Sequence, residues 1–107
     1  MKNASLLIII FISLFKSATS QTDTIRIKTS AQCEMCKNTI ESDLSFEKGV
    51  KNSDLNMENK IITVIYNPEK TSPEKIMKAI TKSGYDADSL KADAKAYKRL
   101  PDCCKKH

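Results

Sequence analysis

The sequence predicts an α+β domain in the order β-α-β-β-α-β, followed by a short C-terminal helix. Three observations support this order: alternating apolar and polar residues at 24–29, a polar turn at 58–60 between two strand candidates, and a proline-initiated helix after them. A connection of only two or three residues implies an antiparallel hairpin. The predicted architecture is the split βαβ, or ferredoxin-like, sandwich, with two helices on one face of a four-stranded antiparallel sheet.

The first half of this domain is predicted from periodicity. Residues 24–29 place isoleucines on one face and polar residues on the other, which is typical of a half-buried strand. From Cys36 to Leu44 apolar side chains recur at four-residue steps, which predicts a helix that ends near Gly49. A second, weaker strand is predicted at 50–57.

The second half begins with the most strand-like segment of the chain. Residues 61–66 are rich in β-branched side chains and end at Asn67-Pro68. Ser72-Pro73-Glu74 then combines a capping residue, a proline at the first helical position and an acid in the first turn, so we expect a helix that Gly84 ends.

Two further elements are predicted after Tyr85. Residues 86–90 are assigned as the fourth strand, although their strand propensity is poor. Residues 91–99 contain strong helix formers and no breaker, so we expect a short helix that ends before Pro101.

Residues 1–20 differ from the rest of the chain. Lys2 precedes a ten-residue apolar run, and small residues follow it, as in a secretory signal peptide. A membrane-spanning helix needs about 20 apolar residues; an uncleaved anchor is the alternative. We therefore expect an exported, monomeric protein, periplasmic or secreted, with no membrane span after cleavage. The expected division is a signal peptide at 1–20, one domain at 21–90, and a C-terminal helix and tail at 91–107.

The charge balance restricts the partners. The 107 residues carry a net charge of +5, and removing residues 1–20, which contain two lysines and no acids, lowers it to +3. The remaining lysines alternate with acids, without the basic patch and interleaved aromatics of a nucleic-acid binder. We expect no nucleic-acid partner.

Cys33-Glu34-Met35-Cys36 is a C-x-x-C motif between the first strand and the first helix. Three-residue spacing lets two sulfurs converge on one ion, and thiolates are the ligands that Cu(I), Zn(II) and Hg(II) prefer. Unpaired backbone N–H groups at a helix start favour the thiolate.

Other interpretations of the cysteines stay open. The pair could form a stabilising disulfide, although so short a loop gains little, or a thioredoxin-like redox centre. Four cysteines allow three pairings. Their spacing, two cysteines three apart and two adjacent, is unlike that of a disulfide that ties distant segments together.

In this context the sequence resembles the heavy-metal-associated domains, which include copper chaperones, modules of copper- and zinc-pumping ATPases, and the periplasmic mercuric-ion carrier. The resemblance covers about residues 24–90. It rests on the C-x-x-C motif, Gly49-Val50, the segment 61–68, the helix start at 72–74 and Ser83-Gly84-Tyr85. It implies transfer or sequestration of a soft metal ion by Cys33 and Cys36, without catalysis.

The chain departs from the family pattern near the motif. The family usually reads G-M-x-C-x-x-C, whereas this chain has Ala31 in place of the methionine and carries Met35 between the cysteines. Met35 is a possible thioether ligand or an ordinary loop side chain. Tyr85 corresponds to a family residue near the metal loop, where it either shields the ion and modulates its release or plugs the helix ends.

The C-terminal tail adds Cys103, Cys104 and His107. Adjacent cysteines bridge each other only with strain. If the C-terminal helix folds back, the tail approaches Cys33 and Cys36, and one or both of its cysteines could add thiolate ligands. The alternative is a frayed tail without contact.

The predicted function is binding of a soft ion, with Cu(I) preferred over Hg(II) or Zn(II), and its carriage or buffering in the cell envelope. The expected partner is a metal-transporting membrane protein or another metal carrier, and no enzyme activity is expected. Two alternatives remain: a thiol–disulfide redox protein that uses the same cysteines, and a metal-gated interaction module for an envelope metal transporter.

Overall fold

Three strands form one antiparallel sheet in the computed structural model, which describes residues 21–105. They are β1 (Asp23–Lys28), β2 (Val50–Asn56) and β3 (Ile61–Tyr66), in the spatial order β1-β3-β2. The β2–β3 pair is the expected hairpin. The predicted signal peptide at 1–20 and His107 lie outside the described residues.

Three α-helices accompany the sheet: α1 (Glu34–Ser45), α2 (Pro73–Lys82) and the short α3 (Ala94–Lys98). A 3-10 turn at Asp102–Cys104 follows α3. The helix α3 lies inside the segment 91–99 for which a helix was expected, but it has only five residues. Within residues 21–105, no helix combines the length and the apolar character needed to cross a membrane.

The prediction that residues 86–90 form a fourth strand was wrong, because this segment adds no strand to the sheet in residues 21–105. Ala87 makes isolated bridges to Thr29 and to Leu90. Asp88, which follows Ala87, adopts the left-handed conformation, with φ of 51°. The backbone therefore turns back on itself after one residue of pairing, which stops a ladder from extending along β1.

The core lies between the helices and one face of the sheet. Residues paired directly across β3 point to the same face, so Ile27 and Leu55 flank Ile62 in the interior. Helix α1 contributes Ile40 and Leu44, and α2 contributes its own buried isoleucines. Because Cys36, Tyr85 and Cys104 belong to the same buried cluster, the core continues directly into the cysteine site.

Local sequence signals account for the start of α2. Ser72 caps α2 by accepting a hydrogen bond from the Lys75 backbone N–H at 3.3 Å, and Pro73 follows it as the first helical residue. The chain after α1 turns at Gly49, whose φ is +88°. The start of α2 is the one that the sequence indicated, whereas α1 ends at Ser45, four residues before the end expected near Gly49.

Helix α1 also covers the edge strand β2. The Leu55 backbone N–H donates to the Glu41 carboxylate at 2.7 Å, and Lys37 Nζ donates to the Leu55 carbonyl at 2.7 Å. Lys37 is also ion-paired with Glu41 at 2.8 Å, which is the main cause of its raised pKa. These contacts satisfy backbone groups that an edge strand would otherwise expose. They also orient α1 and therefore its N-terminal cysteines.

Candidate metal centre

The C-x-x-C pair lies at the junction between the loop after β1 and the N-terminus of α1. Cys33 is the N-cap residue of α1, and Cys36 is in its first turn, with the Cys36 backbone N–H donating to the Cys33 carbonyl at 2.9 Å. The helix begins at Glu34, two residues before the start that the apolar periodicity indicated. The helix start therefore places Cys33, rather than Cys36, at the cap. The two Sγ atoms are 3.2 Å apart.

The C-terminal tail reaches this pair. Cys33 Sγ is 3.2 Å from Cys103 Sγ and 3.5 Å from Cys104 Sγ, and the two tail sulfurs are 4.0 Å apart. The Sγ atoms of Cys33, Cys103 and Cys104 all lie within 4.8 Å of one another. All four cysteines of the chain therefore meet in one cluster.

One pair in this cluster is bonded. Cys36 and Cys104 form a disulfide, with Cα atoms 5.8 Å apart, whereas Cys33 and Cys103 are free thiols. The expectation that the spacing does not tie distant segments together was wrong, because this bond joins residues 68 positions apart. The error arose because sequence spacing does not reveal that the chain end folds back onto the first loop.

Two contacts hold the C-terminal segment against the end of α2. Gly84 follows α2 and has a φ of +105°. It lies against Leu100 and Ala96, and a Cβ built there would be 3.0 Å from Leu100 Cδ2. The Asp93 backbone N–H donates to the Thr81 carbonyl of α2 at 3.0 Å. The sequence indicated Gly84 only as a helix end, so the docking of Leu100 on it was missed.

The adjoining segment 86–92 is tied to β1 and its following loop. Asp88 and Lys28 exchange two hydrogen bonds of 2.8 Å, since the Asp88 backbone N–H donates to the Lys28 carbonyl and the Lys28 N–H donates to the Asp88 carboxylate. The Asp86 backbone N–H donates to Ser30 Oγ at 2.9 Å. Residues 86–92, which were expected to begin with a strand, therefore order the backbone just before Cys33.

The electrostatics distinguish the two free thiols. A hydrogen bond with the Cys103 sulfur is the main cause that lowers the pKa of Cys33, and the backbone N–H groups of Cys36 and Met35 and the charge of Lys60 act in the same direction. The same hydrogen bond raises the pKa of Cys103. Cys33 is therefore the sulfur that ionises first, as a thiol at a helix N-terminus should.

Tyr85 belongs to the buried core cluster that also contains Cys36 and Cys104. Its side chain is 1% exposed, and its hydroxyl has no hydrogen-bond partner within residues 21–105. The pKa of Tyr85 is raised to about 12, mainly by burial and further by the negative charge of the Cys33 and Cys103 sulfurs. The modulating role expected of Tyr85 stays a prediction, and its position is that of a buried plug.

The remaining candidate residues differ in placement. Met35 is 52% exposed, so its role as a thioether ligand stays a prediction. His107 lies outside the described residues. Ala31, which replaces the family methionine, is fully buried. Its backbone N–H donates to Thr29 Oγ1 at 3.3 Å, which helps to order the loop before the motif.

The fold and the cluster together define a class: a small α+β domain that presents cysteine sulfurs at a strand-to-helix loop and can bind a soft metal ion. The model of the heavy-metal-associated domain matches residues 27–86. The chain belongs to the heavy-metal-associated domain family.

Relatives in this family include carriers and pumps. The chain is 37% identical over 54 residues to the copper chaperone CopZ of Staphylococcus epidermidis, a match that covers 50% of this chain and 79% of the chaperone. It is 39% identical over 59 residues to a copper-exporting P-type ATPase of Staphylococcus saprophyticus. That match covers 55% of this chain but only 7% of the ATPase.

Solved structures show the same fold. The structure of oxidized MerP from Ralstonia metallidurans CH34 superimposes with a TM-score of 0.61 at 28% identity, covering 64% of this chain and 96% of that one. A CopZ metallochaperone gives a TM-score of 0.58 at 30% identity, covering 61% and 98%.

Proposed function

We propose that this protein binds a soft metal ion, with Cu(I) as its first cargo, through Cys33 and Cys36, and carries or buffers the ion without catalysing a reaction. The observation that carries this proposal is the pair of sulfurs 3.2 Å apart at the N-terminus of α1. Both thiolates come from one turn of backbone, so little conformational freedom is lost when they close on an ion.

The binding-competent form has Cys36 reduced. In the disulfide form Cys36 is bonded to Cys104, so only Cys33 of the motif is a free thiol. The lowered pKa of Cys33 makes it the first sulfur to meet the ion. Cys36 is fully buried and would then close the second bond from the core side.

The partner and the compartment are part of the proposal. The resemblance of residues 1–20 to a signal peptide supports action in the cell envelope, either in the periplasm or after secretion. Copper-exporting ATPases among the relatives support a metal-transporting membrane protein, or another carrier, as donor or acceptor. Exchange of an ion between two such proteins needs an accessible sulfur, and Cys33 is partly exposed.

The test is a competition titration of the reduced protein with a chromophoric Cu(I) chelator. Replacing both Cys33 and Cys36 by serine should weaken Cu(I) binding by at least about 1,000-fold, or about 4 kcal/mol, because it removes both thiolates of the proposed two-sulfur site. The Cys103→Ser/Cys104→Ser double variant is the matched control and should retain Cu(I) binding. Unchanged affinity in the Cys33→Ser/Cys36→Ser variant would reject the proposal.

A second candidate, a thiol–disulfide redox protein, is favoured by one observation. The Cys33 sulfur, with its lowered pKa, lies 3.2 Å from Cys36 Sγ and 3.5 Å from Cys104 Sγ, next to both ends of a disulfide. Comparing the rate at which the reduced protein reduces a disulfide substrate with that of the Cys33→Ser variant separates the two functions. A carrier should show slow reduction in both.

A further inference from the structure

We infer that the C-terminal tail completes a four-sulfur metal site, which the Cys36–Cys104 disulfide closes and a two-electron reduction opens. This inference rests on the proposed function and extends it, because the family motif supplies two sulfurs and the tail supplies two more. The cargo class widens from Cu(I), for which two sulfurs suffice, to tetrahedral ions of the Zn(II) and Cd(II) type.

The sulfur positions fit four-fold coordination. In a tetrahedral thiolate site with metal–sulfur bonds of about 2.3 Å, neighbouring sulfurs are ~3.8 Å apart. Four of the five non-bonded Sγ–Sγ distances in the cluster are 3.2, 3.2, 3.5 and 4.0 Å. Each of these four distances lies within ~0.6 Å of the tetrahedral spacing.

The oxidation state sets the number of ligands. In the disulfide form, Cys33 and Cys103 are the two thiols. A dithiol reductant delivers two electrons and two protons to the Cys36–Cys104 bond, and its own two sulfurs form a disulfide in exchange. Cys36 and Cys104 then become thiols, so all four cysteines can bind an ion and release their protons to solvent.

Burial explains why both states are useful. Cys36 is 0% and Cys104 1% exposed, in contrast to the exposed Cys103. Two thiolates so deeply buried are costly without a counter-charge, and a bound cation provides it. The disulfide instead neutralises the same two sulfurs by bonding them. The buried pair is therefore either bonded to each other or paired with an ion, and the exposed Cys103 marks the side from which the ion enters.

The geometry of the tail supports a built site rather than a chance contact. The Cys104 backbone N–H donates to the Pro101 carbonyl at 2.9 Å within the 3-10 turn. Leu100, just before this turn, packs on Gly84. The hydrogen bond fixes the shape of the turn, and the contact of Leu100 with Gly84, which involves no cysteine sulfur, can hold the tail at the site after the disulfide is reduced.

The test uses Cd(II) and its thiolate charge-transfer absorbance, whose intensity follows the number of bound thiolates. Alkylation of the protein unfolded in urea should modify two cysteines if it was oxidised and four if it was first reduced by dithiothreitol. After the reductant is removed anaerobically, the reduced protein should give about twice the absorbance per Cd(II) of the oxidised protein.

Variants assign the sulfurs. In the reduced state, Cys103→Ser should lose about a quarter of the absorbance, and it should leave folding intact because Cys103 is exposed. The Cys103→Ser/Cys104→Ser variant should lose about half of it and bind Cd(II) at least ~100-fold more weakly. Urea unfolding of each reduced variant checks that the domain is folded.

Two results would overturn the inference. One is full absorbance and affinity in the Cys103→Ser/Cys104→Ser variant, which would remove the tail from the site while leaving Cu(I) binding by Cys33 and Cys36 untouched. The other is equal Cd(II) absorbance in the oxidised and reduced proteins, which would remove the redox gate. Failure of the proposed function is recognised separately, by Cu(I) binding that survives Cys33→Ser/Cys36→Ser.

Discussion

The first loop and the C-terminal tail each bring two cysteines to the same place, but they are held there by different means. Cys33 and Cys36 are placed by one strand-to-helix junction, through backbone hydrogen bonds within four residues. Cys103 and Cys104 arrive from the far end of the chain. The first pair is placed by local structure, whereas the second pair reaches the site only while the tail is docked.

This difference implies different sensitivities. The loop pair should survive any change that leaves β1 and α1 intact. The tail pair depends on Leu100 against Gly84, on the hydrogen bond from Asp93 to Thr81, and on the disulfide to Cys36. Perturbing these contacts one at a time tests how independent the two regions are.

The largest expected effect is on stability when the Cys36–Cys104 disulfide is reduced. With metal removed by a chelator, dithiothreitol should lower the free energy of unfolding by about 2–4 kcal/mol, because the bond joins residues 68 positions apart and limits the unfolded chain. Urea unfolding with and without dithiothreitol measures it. Cys103→Ser is the control, since it keeps the disulfide and should respond like the wild type. Equal unfolding midpoints with and without reductant would contradict the prediction.

A smaller effect is expected for Gly84→Ala. A Cβ at φ of +105° is strained and would meet Leu100 and the Ala96 carbonyl, so the free energy of unfolding should fall by roughly 1–3 kcal/mol. In the reduced protein the tail should also loosen, which faster alkylation of Cys104 would report.

Gly49→Ala is the matched control for that variant. Its φ is +88°, and its Cβ would be 2.9 Å from Thr71 Cγ2, away from the tail contacts. Stability should fall by a similar amount, whereas the alkylation rate of Cys104 in the folded protein should not change. Equal acceleration of Cys104 alkylation in both variants would show that the tail responds to general loosening and not to its own docking contact.

The smallest effect at neutral pH is expected for Tyr85→Phe. Because the folded state raises the pKa of Tyr85 from 10.0 to about 12, its contribution to stability is present below pH 10 and is lost as the pH rises toward 12. The full loss is about 2–3 kcal/mol. Phenolate absorbance should show one tyrosine titrating near pH 12 in the wild type and not in Tyr85→Phe. If the variant retains that late step, Tyr85 is not the buried phenol.

Much of the fold was predictable because its signals are local. The bounds of β3 and the cap and proline start of α2 agree with the sequence patterns at 61–66 and 72–74. That residues 86–90 turn instead of forming a fourth strand was not predictable, because the left-handed turn at Asp88 depends on its two hydrogen bonds with Lys28, 60 residues away in the chain.

By itself, the sequence determined the family, the β-α-β-β-α core of the fold and the position of the first cysteine pair at a helix start, since each element follows from local patterns and the family from their order along the chain. Only the tertiary structure decided that Cys104 bonds to Cys36 and that Cys103 lies 3.2 Å from Cys33. The physical reason is that these contacts depend on the packing of Leu100 and Gly84 between distant segments, and packing between segments leaves no periodic trace in either of them.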